Sequence, residues 1–165
     1  MAQTASITAQ KVAEFLTSAS TGLGPTTANL AANAGVTLPA IPAQNVFIQN
    51  VPVALMEKSA AVKYPVVHVY SDRVENRLTE KFRTFSGKVR TVAEVRVSQD
   101  RIENLEDYTR LYVDAVTQIL DANRGSWGQG MFFAGGYEVK FEAVQPGGRN
   151  FLQVAKVTFE VDLSS

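Results

Sequence analysis

The sequence contains no cysteine. That absence excludes disulfides, thiolate catalysis and nearly every structural zinc site in one step. It fits a reducing compartment without requiring one. Histidine is almost absent too: a serine–histidine–acid site would have to use the single residue His68, and no Gly-x-Ser-x-Gly elbow supplies the serine. No apolar run reaches the roughly eighteen residues of a membrane-spanning helix. The N-terminus lacks a basic segment followed by an apolar core, so no secretory signal is expected. Charge of one sign is also missing. With 16 basic and 16 acidic residues, the chain offers no whole-molecule attraction to nucleic acid or to a membrane surface. There is no internal repeat and no low-complexity tail.

What remains is ordinary for one folded domain. A length of 165 residues with 45% hydrophobic content is enough for a real core, so wholesale disorder is not expected. The organising stretch runs from Phe82 to Leu120. In it, Val89, Thr91, Ala93, Val95 and Val97 alternate with Lys88, Arg90, Glu94 and Arg96, which predicts a strand with one face buried and one wet. Ser98-Gln99-Asp100 breaks the alternation. From about Asn104 the apolar residues Leu105, Tyr108, Tyr112, Ala115, Val116 and Ile119 recur at helical steps, widened by Leu111 and Leu120. Asn104 is one candidate cap for this helix. Asp100, with Glu103 as its capping-box partner, is the other.

The other elements read less sharply. Ile7 to about Thr17 predicts a short helix capped by Ser6 or Thr8, and Ser18–Gln44 predicts a long loop with at most one helical turn at Asn29–Asn33. Gly22-Leu23-Gly24-Pro25 is a turn signal. Val46–Gln49 is a short strand, Ala54–Ala61 is indistinct, and Tyr64–Tyr70 is a β-branched and aromatic strand. Ser86-Gly87 suggests a bend or bulge. Gly125–Gly130 follows the helix as a flexible exit loop carrying Trp127. Tyr137–Ala143 and Phe151–Leu163 form a hairpin around the turn at Gln145-Pro146-Gly147-Gly148-Arg149. The expected architecture is a single α+β domain: a mostly antiparallel twisted sheet, one main amphipathic helix on one face, residues 1–45 as N-terminal helix and long loop, and 46–165 as the core.

Candidate chemistry is sparse. His68 shares a strand face with Val66 and Tyr70 and reads as a core or edge residue. Glu103, Glu106 and Asp107 suit the first turn of a helix without any catalytic role. The glycine cluster after the helix opens no helix and lacks the Gly-Lys-Ser/Thr ending of a phosphate loop. The basic set Arg73, Arg77, Lys81, Arg83, Lys88 and Arg90 is more distinctive, though Asp72, Glu75 and Glu80 dilute it. Its plain reading is a solvated hairpin face. Its functional reading is a contact surface for phosphates or for an acidic neighbouring subunit. No catalytic residue, metal ligand or cofactor site is expected.

Tyr64-Pro-Val-Val-His-Val-Tyr70, a charged excursion, the Val89–Val97 alternation, Ser98-Gln99-Asp100, the Leu105–Ile119 helix and the Tyr137–Leu163 hairpin follow one another in a recognisable order. From Val46 to Leu163, in element order and texture, the chain resembles the tail terminator and neck proteins of long-tailed bacteriophages. Ser18–Gln44 is longer and richer in Ala and Thr than that pattern. The resemblance implies a structural protein and not an enzyme. Its partners would be further copies of itself in a ring, usually hexameric, the tail tube protein, and the head–tail connector or stopper protein. The ring would end tube polymerisation and join the tail to the head, with DNA passing through it unread. Location would be the tail–neck junction of the virion, after synthesis in the host bacterial cytoplasm, with no membrane contact. The basic set then becomes a candidate subunit interface or channel lining, and Gly22, Gly24, Trp127 and Gln129 a candidate partner-contact loop. A tail tube subunit or head-side stopper, or a small-molecule-binding or enzymatic α+β domain, are the alternative readings.

Overall fold

The computed structural model describes residues 3–59 and 62–165. The first helix, α1 (Thr4–Thr17), begins before the expected Ile7. Neither predicted cap acts as one, and Gln3 holds the N-cap position without a side-chain bond. Ser6 Oγ donates back to the Gln3 carbonyl. Thr8 instead faces the sheet, fully buried, with its hydroxyl 3.0 Å from both Ser71 Oγ and Thr91 Oγ1.

The predicted long loop is largely a helix, α2 (Leu23–Ala34). Gly22 enters it extended, and Pro25 sits in the first turn, where a missing amide donor costs nothing. Gly35 closes it at φ 68°, its N–H reaching the carbonyls of Ala31 and Ala32, and Val36 N–H adds a second bond to Ala31. That is a left-handed glycine cap. A single 3-10 turn (Ala43–Asn45) leads into β1 (Val46–Phe47). The stretch that looked indistinct holds α3 (Val53–Ser59); its last two residues, Ala60 and Ala61, lie outside the described residues.

Two long strands follow, β2 (Val66–Asn76) and β3 (Ser86–Gln99), then the main helix α4 (Leu105–Ala122). Asn104 occupies the N-cap of α4 but makes no side-chain bond there, and Asp100 lies outside the helix. The expected exit loop is the start of a hairpin, β4 (Gly125–Gly128) with β5 (Met131–Phe133). The chain then lays down β6 (Tyr137–Phe141), β7 (Gln145–Gly147) and β8 (Asn150–Ser164). Sheet order is β1-β2-β3-β8-β5-β4, with β6 and β7 also paired to β8. Among the described residues, only the pairing of β1 with β2 is parallel. The α+β architecture is therefore as the sequence implies, with a curled and mostly antiparallel sheet.

β3 and β8 pair continuously from Ser86↔Ser164 to Gln99↔Phe151. Along the far edge of β8, the strands β7, β6 and β5 pair in succession, as one long strand interrupted twice. On the inner face, α1 lies against β2 and β3, α4 against β3 and β8, and α2 against α4. The alternation of β3 delivers Val89, Ala93, Val95 and Val97 to that core, and α4 delivers Leu105, Tyr112, Val116, Ile119 and Leu120. Each large side chain so buried contributes on the order of 1.5–3 kcal/mol before the entropy of ordering is counted.

The other face departs from expectation. Lys88 and Arg90 are partly exposed, but Glu94 and Arg96 are buried. The chain around Val51 lies over that end of the sheet, and Arg96 Nη2 donates to the Val51 carbonyl. The sheet irregularity also sits elsewhere. Ser86 and Gly87 are regular members of β3, while the register shifts in β2 between Ser71 and Arg73. Gly87 has a different reason to be glycine: a Cβ there would lie 1.8 Å from the Glu75 carbonyl oxygen across the β2–β3 ladder. Gly87→Ala is therefore expected to lower stability by about 2 kcal/mol or more, as backbone must part to admit the methyl group. A urea midpoint within error of the parent would contradict this packing.

Candidate interaction surface

The basic set gathers where the sequence places it, at the end of β2, the start of β3 and the loop between them. It is neutralised almost residue by residue. Glu75 lies 2.8 Å from Arg77 and 3.3 Å from Arg73. The hydrogen bond from Arg77 is the main reason its carboxyl titrates below the usual range, reinforced by the charges of Arg77, Arg73 and Lys88. Asp72, the residue passed over by the β2 bulge, accepts both Nε and Nη2 of Arg90, at 2.8 and 3.0 Å. Those bonds raise the guanidinium further. Lys88 reaches Glu160 on β8 at 3.1 Å, and Arg83 stands 3.6 Å from Glu80. Lys81 alone makes no ion pair among the described residues. Exposed pairs of this kind contribute little to stability. Their effect is on the field: the face carries dense charge of both signs and little net potential. Two open concavities of about 480 and 460 Å³ share Lys88 and Asp162 on this face.

The loop joining β2 to β3 is firmly built. Asn76 Oδ1 accepts the N–H groups of Leu78 and Ser86, while Thr84 and Phe85 donate their N–H groups to the Ser165 carbonyl. Ser164 Oγ donates to Glu80 at 2.7 Å. Leu78 and Phe82 nevertheless adopt φ of 48° and 63° and are exposed, Phe82 completely.

At the other end of the same face lies a buried polar cluster. Arg96 meets Glu94 Oε1 at 2.8 Å, with both side chains under a tenth exposed, and Tyr70 donates to Glu94 Oε2 at 2.7 Å. Desolvation, then the bond to Glu94, pushes the Tyr70 hydroxyl well above its ordinary value. Tyr64, at the margin and 3.2 Å from Glu57, is pushed up to about 12 by burial first and then by that carboxylate. His68 is fully buried and stacks on Phe47 at 5.1 Å. Neither ring nitrogen has a hydrogen bond in proper geometry; the Gln49 backbone favours the protonated ring but stands outside that geometry. Burial first, and the Arg96 charge second, hold its pKa below 6.5. The core reading of His68 is the one the fold supports. Its setting was invisible in sequence because Phe47 and Arg96 lie on different strands.

The expected partner-contact loop does not exist as a unit. Gly22 precedes α2, where a Cβ would collide with the Leu16 and Ser18 carbonyls, and Gly24 lies in its first turn. Trp127 is buried and closes an aromatic cluster with Phe15, Phe133 and Phe159 at 5.2–6.4 Å, its Nε1 donating to the Asn123 carbonyl. Packing, not partner contact, explains its presence. Gln129 is exposed, at φ 53° in the β4–β5 turn. Glu103 and Glu106 are exposed, as is Asp107, which stands 3.5 Å from Arg110. Among the described residues, no three His, Cys, Asp or Glu side chains are grouped to hold a metal, and no helix is long and apolar enough to cross a membrane. The chain matches no protein-family model, and no curated protein matches it significantly.

Two outcomes follow from the buried groups. His68 binds a proton less readily folded than unfolded. Its contribution to stability is therefore complete above about pH 6.5 and is lost as pH falls below that value. His68→Leu removes no hydrogen bond, so thermal melts of the variant are expected to lose less stability than the parent between pH 6.5 and the carboxylate range; parallel curves would disprove the linkage. Trp127→Ala should cost about 3–5 kcal/mol in chemical denaturation. A neutral result would return Trp127 to the surface.

Proposed function

We propose that this protein is a structural subunit of the tail–neck junction of a bacteriophage virion. There it forms a ring that ends growth of the tail tube and joins the tail to the head connector. Two things support the reading. One is the order of strand, strand, helix and closing hairpin formed by β2, β3, α4 and β6–β8, within the stretch on which the resemblance rests, with α3 and the β4–β5 hairpin as additions to it. The other, which carries it, is the outer sheet face. Five of its six candidate basic residues stand beside a carboxylate. Such a surface releases few counterions on meeting a polyanion, so DNA slides past it and is not gripped. A face of this kind suits either a channel wall or a contact between ring neighbours.

The test is native mass spectrometry with negative-stain images, of the protein alone and mixed with polymerising tail tube protein. The expected result is a closed ring, or a monomer that closes into one on tube ends, together with shorter tubes. Long tubes of this protein by itself would make it a tube subunit, and a monomer without effect on tube length would overturn the reading. In fluorescence anisotropy at physiological salt, duplex DNA is expected to bind no tighter than ordinary non-specific contact, about 10⁻⁴ to 10⁻⁶ M. Nanomolar, sequence-dependent binding would remove the passive-channel role.

A further inference from the structure

The two ends of β3 carry surfaces of opposite charge, each with an exposed apolar residue at its centre. Before β3, in the loop 77–85, Arg77, Lys81 and Arg83 against Glu80 leave a net charge of +2. After β3, in residues 100–107 with Arg110 beside them, Asp100, Glu103, Glu106 and Asp107 against Arg101 and Arg110 leave −2. The first surface presents Phe82, fully exposed. The second presents Ile102, about half exposed. Holding a non-glycine residue at the φ of 63° found at Phe82 costs on the order of 1–3 kcal/mol. The two ends of the loop are tied by backbone bonds from Arg77 and Leu78 to Ser86 and from Thr84 and Phe85 to Ser165. An aromatic side chain held out in water at such cost, on a loop tied at both ends, fits an anchor for another surface.

Which surface it meets follows from distance and sign. The β3 strand runs from Ser86 to Gln99, which separates the two ends by roughly 45 Å. The basic loop and the acidic segment of one molecule therefore never meet. We infer that the loop 77–85 of one copy docks on the acidic segment 100–107 of a second copy, with Phe82 against Ile102 and Lys81 and Arg83 facing Glu103 and Glu106. This inference takes its partner, another copy of the chain, from the ring reading above. The two surfaces are different patches, so the contact is heterologous and repeats from molecule to molecule until rotation closes it. Most charges around the basic loop are already committed within the chain: Glu75 to Arg73 and Arg77, Asp72 to Arg90, Glu160 to Lys88 and, at 3.6 Å, Glu80 to Arg83. That leaves Lys81 as the cation of the loop without an ion pair among the described residues. Arg149, exposed in the turn between β7 and β8 beside the acidic end, moderates that end without reversing it.

Charge exchange tests the contact. Two full-length variants, K81E/R83E and E103K/E106K, alter exposed side chains only, and circular dichroism with a thermal melt checks that each is folded. Each alone sets like charges against each other and is expected to be monomeric by native mass spectrometry where the parent is oligomeric. Mixed in equal amounts, each supplies the surface the other lacks, so an assembly with both variants in equal number is expected. Phe82→Ser should also dissociate the parent oligomer, and added salt should weaken it. Oligomers unchanged in all three variants, or a parent that stays monomeric both alone and on tube ends, would overturn the docking. A parent ring that survives the substitutions leaves the ring function standing without this contact. A substitution-sensitive dimer or filament keeps the contact and removes the ring.

Discussion

The antiparallel pairing of β3 with β8 is the constraint on which the remaining elements hang. Its register sets Val89 opposite Val161, Thr91 opposite Phe159, Ala93 opposite Val157 and Val95 opposite Ala155, all on the helical side. Side chains in a strand alternate with a period of two, so a slip by one residue would carry Lys88, Arg90 and Glu94 into the core. No such slip is tolerable beneath α4. Everything else is attached to one edge or the other of this pair. β2 lies on the free edge of β3, and β7, β6 and β5 share the free edge of β8. Because those three strands are short and separated, the sheet can change direction between them while β8 stays continuous.

The two faces of this sheet solve different problems. The inner face is closed by helices and contains few polar side chains. Among those described, Thr8, Ser71 and Thr91 satisfy one another, and Ser71 also donates to the Ala5 carbonyl. Gln153, opposite Val97, donates to the Glu142 carbonyl and leaves its Oε1 without a partner. The outer face is divided. At the β1 end it buries an ion pair, Glu94 with Arg96, whose desolvation is offset by the Tyr70 hydroxyl and the Val51 carbonyl. At the hairpin end the same alternation of charged residues stays wet, and each charge is answered by a neighbour. One strand, β3, thus passes from an exposed charge lattice to a dry one along a single face.

How much of this was legible in the sequence depends on where each residue finds its partner. The inner stripe of β3 and the stripe of α4 were readable because burial there follows local period. The second half of β2 was not, since Arg73, Val74 and Asn76 are exposed and carry no period of burial. Helix α2 was hidden for another reason. Its buried side is Leu23, Thr27 and Ala31, too small to mark a stripe, although Gly35 signals its end. The glycines around Trp127 suggested a mobile loop, whereas the indole is held by Phe15, Phe133 and Phe159 from three other elements. Of the candidate surface, the clustering of basic residues was plain. Their neutralisation was only partly so: Asp72 and Glu75 are near in sequence, but the partner of Lys88 is Glu160, 72 residues away. The chemistry at a distance is what a linear reading loses.

The loop between β2 and β3 has one further property. Its base is tied to Ser164 and Ser165, at the end of β8, by backbone and side-chain bonds. During synthesis β8 emerges after every other element described, so the hairpin tip cannot take its final shape while those elements are being made. Before β8 pairs, the bonds from Thr84 and Phe85 to Ser165 and from Ser164 to Glu80 are missing, and only the Arg77–Leu78 side of the loop is tied, to Ser86 and Asn76. Pairing of β8 with β3 is thereby coupled to the shape of the loop that displays Phe82, the most exposed aromatic residue among those described.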